Sequence, residues 1–448
     1  MRANAAVLVG VLLAGAASGQ DDLDLIPSAA AEPRAAGYVA GQRLYLEDAL
    51  TLSSNRNGTG AQAPYDWQER LLFDMRKEWQ LGETLGFTYS GRFNLRAEND
   101  IATPTHENAV NDLREAYFAW RPADDFYLDA GRINLKSGVA IGFNPTDYFK
   151  TRSVVEPLSA DPSVQREDRL GALMARGQFI SGLGALTLAI APAVTHATPI
   201  YGNGDLHSFD PSFDRTNAAD RFLAKGSFSL SEDLSPELLL YREGARTSYG
   251  VNLADNFGSS IVGYLEWSGS RRLGLIEDAL AYGRSTGALP ERAPDLWDKS
   301  AAGFSNQLSV GASYTSETKI TYNLEYHFDQ ASFTSADWRR WFAAPPSAAG
   351  ELWYLRGYAQ DRQEPIGRHS LFLRADWVDA FIPRLELAGF ANIDLNDGST
   401  LAETTASYYL SDQWTIGAQL SANLGGRGTD FGSLPQRLAA LFQVTRYF

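Results

Sequence analysis

Five histidines stand in the 448-residue chain: His106, His196, His207, His327 and His369. Imidazole serves both general acid–base work and metal binding, so a catalytic centre would be sought at these positions first. Glu325, His327 and Asp329 alternate, which places a carboxylate, an imidazole and a second carboxylate on one face of an extended strand. His369 falls near the end of the next strand. Nothing of the form G-x-S-x-G or H-E-x-x-H accompanies them, and no glycine-rich phosphate loop is present. The absence of cysteine excludes thiolate nucleophiles, disulfides and Cys-based metal sites. The two strand histidines therefore read as wall lining. The expectation is a protein that is not an enzyme, with no cofactor and no metal.

A second set of charged side chains recurs at every other position. Arg92, Arg96, Arg221, Lys225, Lys319 and Arg374 are its cations; Asp74, Glu98, Glu115, Glu325 and Asp376 are its anions. Their neighbours are apolar. From Thr84 to Glu98 the residues Leu85, Phe87, Tyr89, Phe93 and Leu95 share one side, while Thr88, Ser90, Arg92, Asn94 and Arg96 share the other. The same split returns at Lys319–Phe328, Gln413–Leu424, Gln307–Tyr314 and Arg221–Leu230, where Leu223 is the one exception. Successive strand side chains point to opposite faces, so one face is greasy and the other polar. Charges lining a pore set a field that filters permeants. The plainer reading is that they pair with one another along a polar wall.

These segments are longer than the roughly five or six residues of ordinary soluble strands and fit the roughly 9–11 needed to cross a bilayer at a tilt. Short turns alternate with long polar connections at 51–64, 99–110, 135–168, 195–217, 270–303 and 331–365. That order is the habit of an outer-membrane barrel. The fold expected is all-β: a single antiparallel transmembrane β-barrel of about 18 strands, with 16 as the alternative count. A barrel of that size leaves a wet lumen. The formal net charge of −15 argues against nucleic acid as a partner. No long apolar run follows the N-terminus, which excludes a helical multispan protein.

The N-terminus reads as an export signal. Arg2 is followed by the apolar run Ala5–Ala14 and then small residues to Gly19. Residues 1–19 are expected to be cleaved, 20–38 to form a loose lead-in, and 39–448 to form the barrel.

At the other end Leu438, Ala440, Phe442, Val444 and Phe448 share one face. This resembles the C-terminal signal by which bacterial outer-membrane barrels reach their insertion machinery, with Phe448 as its aromatic. The usual second aromatic, two places earlier, is Arg446 here. The segment 135–168 opens with Lys136, continues through Phe143, Asn144, Asp147 and Tyr148, and carries Lys150 and Arg152. In position it resembles the inward-folded third loop of general diffusion porins, which implies a constriction; an extracellular lid is the alternative. Gly131-Arg132, Gly138 and Asn144-Pro145-x-Asp147 also look like a segment of proteobacterial outer-membrane barrel families. The architecture as a whole resembles porins and barrels that export polysaccharide.

The resemblance implies outer-membrane lipid, lipopolysaccharide and the insertion machinery as partners, with small solutes or a charged polymer in the lumen. It allows an oligomer or an envelope-protein partner. A structural or adhesion barrel with a plugged lumen is the competing reading. Two further clusters invite a role. Asp205, Asp210 and Asp214 lack the density of a calcium loop and read as a solvated acidic loop. Trp338, Arg339, Arg340 and Trp341 read as a sugar or lipid-phosphate contact, or as a rim anchor.

Overall fold

In the computed structural model the described residues are 42–57, 65–99, 109–155, 157–200, 210–230, 234–290, 302–345 and 349–448. The expected signal segment, the lead-in, Asp205, His106 and His207 lie outside them. The strands are β1 (Gln42–Asn55), β2 (Trp67–Gln80), β3 (Leu85–Glu98), β4 (Ala109–Ala123), β5 (Phe126–Ile133) and β6 (Ala172–Ser181). There follow β7 (Gly184–Ala191), β8 (Arg221–Phe228), β9 (Glu237–Glu243), β10 (Arg246–Phe257), β11 (Ile261–Arg272) and β12 (Gly303–Thr315). The remaining six are β13 (Ile320–Asp329), β14 (His369–Trp377), β15 (Leu385–Asp394), β16 (Thr400–Tyr409), β17 (Trp414–Leu424) and β18 (Gln436–Tyr447). Each strand pairs antiparallel with its chain neighbours. β1 pairs with β18 from Tyr45↔Tyr447 to Ser54↔Leu438, which closes the cylinder and leaves no free edge.

The period of two explains the closure. Leu50, Leu71, Phe73, Leu324, Ile416 and Phe442 stay exposed on the outer surface, whereas their neighbours Asp74, Arg92, Asn94 and Glu325 are buried inside. An outer apolar band of this kind is what a bilayer-crossing strand presents to lipid. Near the short-turn end the outward rings of Trp79, Phe87 and Phe118 follow one another at 5.8 and 5.0 Å, an aromatic girdle. No helix among the described residues is long and apolar enough to cross a membrane.

One irregularity changes a face. Ser90 pairs with Glu115 but Gly91 pairs with Leu113, so Arg114 is an extra residue in β4. This bulge lets Arg114 and Glu115, adjacent in sequence, both point inward.

The long connections carry helices: α1 (Pro162–Glu167), α2 (Phe213–Thr216), α3 (Leu275–Ser285), α4 (Ser335–Ala343) and α5 (Ala349–Asp361). The segments 270–303 and 331–365 were expected as plain polar loops. Instead α3, α4 and α5 pack around Leu280, Phe333, Trp338, Trp341 and Tyr358. A reciprocal cap between Thr334 and Asp337 starts α4. Trp338 and Trp341 are therefore buried core residues, not rim anchors, while Arg339 and Arg340 stay exposed. Lys319 also departs from expectation. It occupies the β12–β13 turn at φ 62°, with its ammonium 2.7 Å from Asp379, so it belongs to the short-turn rim and not to the lumen wall.

Candidate permeation site

The segment 135–168 leaves β5, lies against the inner wall and returns to β6. Its first part is held by two wall carboxylates. Val139 and Ala140 donate their backbone N–H groups to Glu266 of β11, the second at 2.5 Å. Ile141 and Gly142 donate theirs to Glu325 of β13 at 2.6 and 2.8 Å. Close approach demands glycine twice here. A Cβ on Gly138, whose φ is +88°, would lie 2.6 Å from the Glu266 carboxylate, and one on Gly142 would lie 2.7 Å from His327. Asn144 and Thr146 add bonds to Glu266 at 3.1 and 3.0 Å.

Further along, Leu135 and Phe149 pack onto Met174, Leu223, Leu239 and Tyr241 of the inner wall. Tyr148 stacks on Tyr241 with centroids 4.5 Å apart and planes within 3°. Leu223, the exception to the alternation, is inward because it meets this apolar stretch of the loop. The middle of the segment reaches another arc of wall. Ser159 donates to Glu403 of β16 at 2.7 Å, and Asp161 pairs with Arg374 of β14, which also holds Asp376 at 2.8 Å. At its end Asp168 binds Arg92 at 2.5 Å and Arg114 at 3.5 Å. The segment thus touches β3, β4 and the run β8–β16, which makes it a bar across the lumen.

Ion pairs stiffen the bar. Asp147 bonds to Arg169 at 2.5 Å, and Lys136 bonds to Glu167 at 2.5 Å. Burial alone would raise the Asp147 carboxyl, but Arg169 and Arg166 hold it below the usual carboxylate range. Lys150 donates to the Asn144 carbonyl at 2.6 Å and sits over the Phe143 ring. Burial pushes its ammonium down to about 8, against the pull of Glu364 and Asp147. Arg152 binds Asp361 of α5 at 3.1 Å, so the helices tether the bar from above. Asp214 is part of the same tether, accepting from Thr198 at 2.5 Å, and Asp210 accepts from the Ser212 backbone N–H at 2.7 Å.

The wall charges are segregated. Asp74 of β2 meets Arg43, Arg92 and Arg114 at 3.2, 3.2 and 2.7 Å. A cavity of about 120 Å³ beside it is lined by Arg43, Arg76, Arg114, Arg169 and Lys136, with Glu115 and Glu167. On β14–β16, Asp376 and Glu403 join Asp161 of the bar near Arg374, and Glu386, which accepts from Tyr409 at 2.7 Å, adds a further anion to this stretch. Between the basic and acidic stretches, Gln419, Ser421 and Gln443 of β17 and β18 are half-buried inner residues.

The other wall residues named from sequence are paired. Arg221 meets Glu243 and Lys225 meets Glu237, each at 3.2 Å, and Arg76 meets Glu115 at 3.3 Å. Glu98 accepts from Gln68 at 2.9 Å, and Arg96 is half-buried opposite Arg70. Sequence reasoning did not single out Glu266, Glu403, Arg43 or Arg114. Alternation alone reaches the first three, whereas Arg114 needs the bulge.

His327 forms a chain with Ser370 at 3.3 Å and Glu325 at 2.7 Å. The order resembles a serine–histidine–carboxylate triad. All three are buried beneath the bar, and Glu325 also accepts from Tyr264 and two loop N–H groups. The carboxylate is a clamp. His369 bonds to Tyr326 at 2.7 Å and stands apart from that chain.

No family model matches the chain, and no curated protein does. Solved structures share its fold. OccK11 (OpdR) of Pseudomonas aeruginosa is 14% identical with a TM-score of 0.50, covering 92% of this chain and 98% of its own. OpdL of the same organism is 12% identical at a TM-score of 0.51, covering 91% and 98%. OccAB4 of Acinetobacter baumannii is 9% identical at 0.52, covering 91% and 97%. The shared architecture is the porin-like closed barrel of 18 antiparallel strands.

Proposed function

We propose that this chain is a channel of the bacterial outer membrane that passes small hydrophilic solutes passively and with partial selectivity. The observation that carries the reading is the pairing of an apolar outer band with a charged inner wall, narrowed by the bar 135–168. Two charged stretches flanking a neutral arc favour solutes with polar or charged groups that can orient between them. Small solutes fit better than a charged polymer, because the bar touches two separate arcs of wall and most wall charges already have partners. The chain acts by shaping a pathway; the Ser370–His327–Glu325 chain serves to clamp the bar. Lipid and lipopolysaccharide cover the outer face, and Phe448 serves recognition by the insertion machinery.

The plugged scaffold draws support from one observation: Asp74, Glu266, Glu325 and His327 are wholly covered. Planar-bilayer recording of the purified, folded protein separates the two readings. The channel gives a stable open current, and changing Arg92 and Arg96 to Glu moves its reversal potential under a salt gradient toward cation preference. Silence from both the intact protein and a folded variant lacking 139–165 would overturn the channel.

A further inference from the structure

The outer mouth holds a cavity of about 430 Å³ that the permeation reading does not use. It lies between α4 and the turns that follow β15 and β17, and its lining includes Trp338, Arg339, Phe342, Asn396 and Asp397. Its volume falls in the range of roughly 300–1,000 Å³ typical of small-molecule pockets.

The lining has a fixed aromatic side and a fixed polar side. Phe342 keeps 38% of its surface exposed and stacks on Trp338, with centroids 5.8 Å apart and planes within 15°. Trp338 is 3% exposed and backs the Phe342 ring from the helix core. The Asp397 carboxylate is held by Ser399 at 2.6 Å and by the Asp430 backbone N–H at 2.6 Å, with lone pairs to spare. Asn396 uses its amide N–H on Asp394 at 2.7 Å. Ser335 of α4 donates to the Asn396 carbonyl at 3.2 Å, which ties the two sides together. Arg339 is exposed and has no ion pair among the described residues.

A guanidinium donates, a carboxylate and an amide oxygen accept, and a ring offers its face. A pyranose meets all three demands: its neighbouring hydroxyls both donate and accept, and its C–H face packs on an aromatic ring. A phosphate fits badly, because Asp397 shares the lining with Arg339 and Asp394 and Asp430 are close behind Asp397. We propose that this cavity is a binding site for a neutral saccharide presented at the outer mouth. The site is separate from the lumen and holds whether or not the lumen conducts.

Saturation-transfer NMR on the full-length protein in dodecyl-dimethylamine oxide, a detergent without sugar, tests the proposal with maltotriose as the probe. Transfer to the pyranose ring protons is expected. Phe342→Ala should weaken binding by up to about tenfold, the worth of a good ring contact. Arg339→Gln should weaken it as well, and Arg340→Gln, outside the cavity, should not. A second arm dopes the micelles with dodecyl maltoside: transfer to that lipid-linked sugar alone, reduced in both Phe342→Ala and Arg339→Gln, supports the site with a membrane glycolipid as source. No transfer to either sugar, transfer unchanged in both Phe342→Ala and Arg339→Gln, or displacement by inorganic phosphate would overturn it.

Discussion

Removing the charge from the two carboxylates that grip the bar should release it while leaving the barrel closed. Glu266→Gln and Glu325→Gln are nearly isosteric, so packing is kept. Each carboxylate accepts two backbone N–H bonds from the run Val139–Gly142. An amide keeps one acceptor oxygen and turns an N–H₂ group toward donors. At Glu266 one oxygen takes both N–H groups and the other takes Thr146, so the amide gives up charge assistance and the Thr146 bonds. At Glu325 the two N–H groups go to different oxygens, so one is left unpaired, a loss worth about 2–4 kcal/mol. If local opening of the bar exposes those amides, their exchange should quicken by roughly thirtyfold to several-hundredfold. Hydrogen exchange with mass spectrometry reads this directly, because the ladder amides of β11 and β13 serve as internal references. In bilayers the same variants should give larger or noisier currents. Less than about a threefold change at 139–142 in both variants, with folding intact, refutes the idea that these carboxylates hold the bar.

Two further outcomes follow from residues of the bar and of the chain end. The Lys150 ammonium titrates near pH 8 in the fold and near the ordinary lysine value when unfolded. Above pH 8 the unfolded chain therefore binds a proton that the folded one has released, so stability rises with pH up to the lysine range, by at most about 3 kcal/mol. Lys150→Met should abolish that slope, and a melting-midpoint difference that stays flat from pH 7 to 10 counts against it. Phe448 is 51% exposed at the short-turn rim, where Arg446 lies over its ring at 4.9 Å and over the Trp414 ring at 5.4 Å. Phe448→Ala should lower the yield of folded protein in cells while leaving the melting of purified barrel nearly unchanged; a large fall in melting with normal yield would assign Phe448 to packing instead.

The barrel was legible because one rule governs each strand. Lipid on one side and water or polar loop on the other impose a period of two, and a one-residue slip would turn Arg92 or Glu325 into the apolar band. The inner wall was legible only in part, since alternation gives the face but not the partner. It placed Glu325 inside without revealing that the far-off N–H groups of Ile141 and Gly142 bind there. Such pairings lie 183 residues or more apart and leave no local pattern. Lys319 failed for a different reason: strand ends are ragged, and a turn residue carries the same parity as the strand beside it.

Breaks in the alternation held information that the alternation did not. Leu223 interrupts a polar face, and that is where Leu135 and Phe149 of the bar need an apolar surface. The apolar parity of β4 passes from Leu113 to Ala116, Phe118 and Trp120, a shift that an unbroken strand cannot make. The bulge at Arg114 absorbs it, and it delivers the guanidinium that joins Asp74 to Asp168. Thr334 followed three residues later by Asp337 is likewise a helix start hidden in a connection read as polar loop. At Leu223 and Arg114 the exception marks a place where the inner wall serves the bar. The regular inward positions supply most of the bar's partners, Glu266, Glu325, Glu403 and Arg374 among them, and the exceptions at Leu223 and Arg114 add the apolar patch and the extra guanidinium that alternation alone could not place.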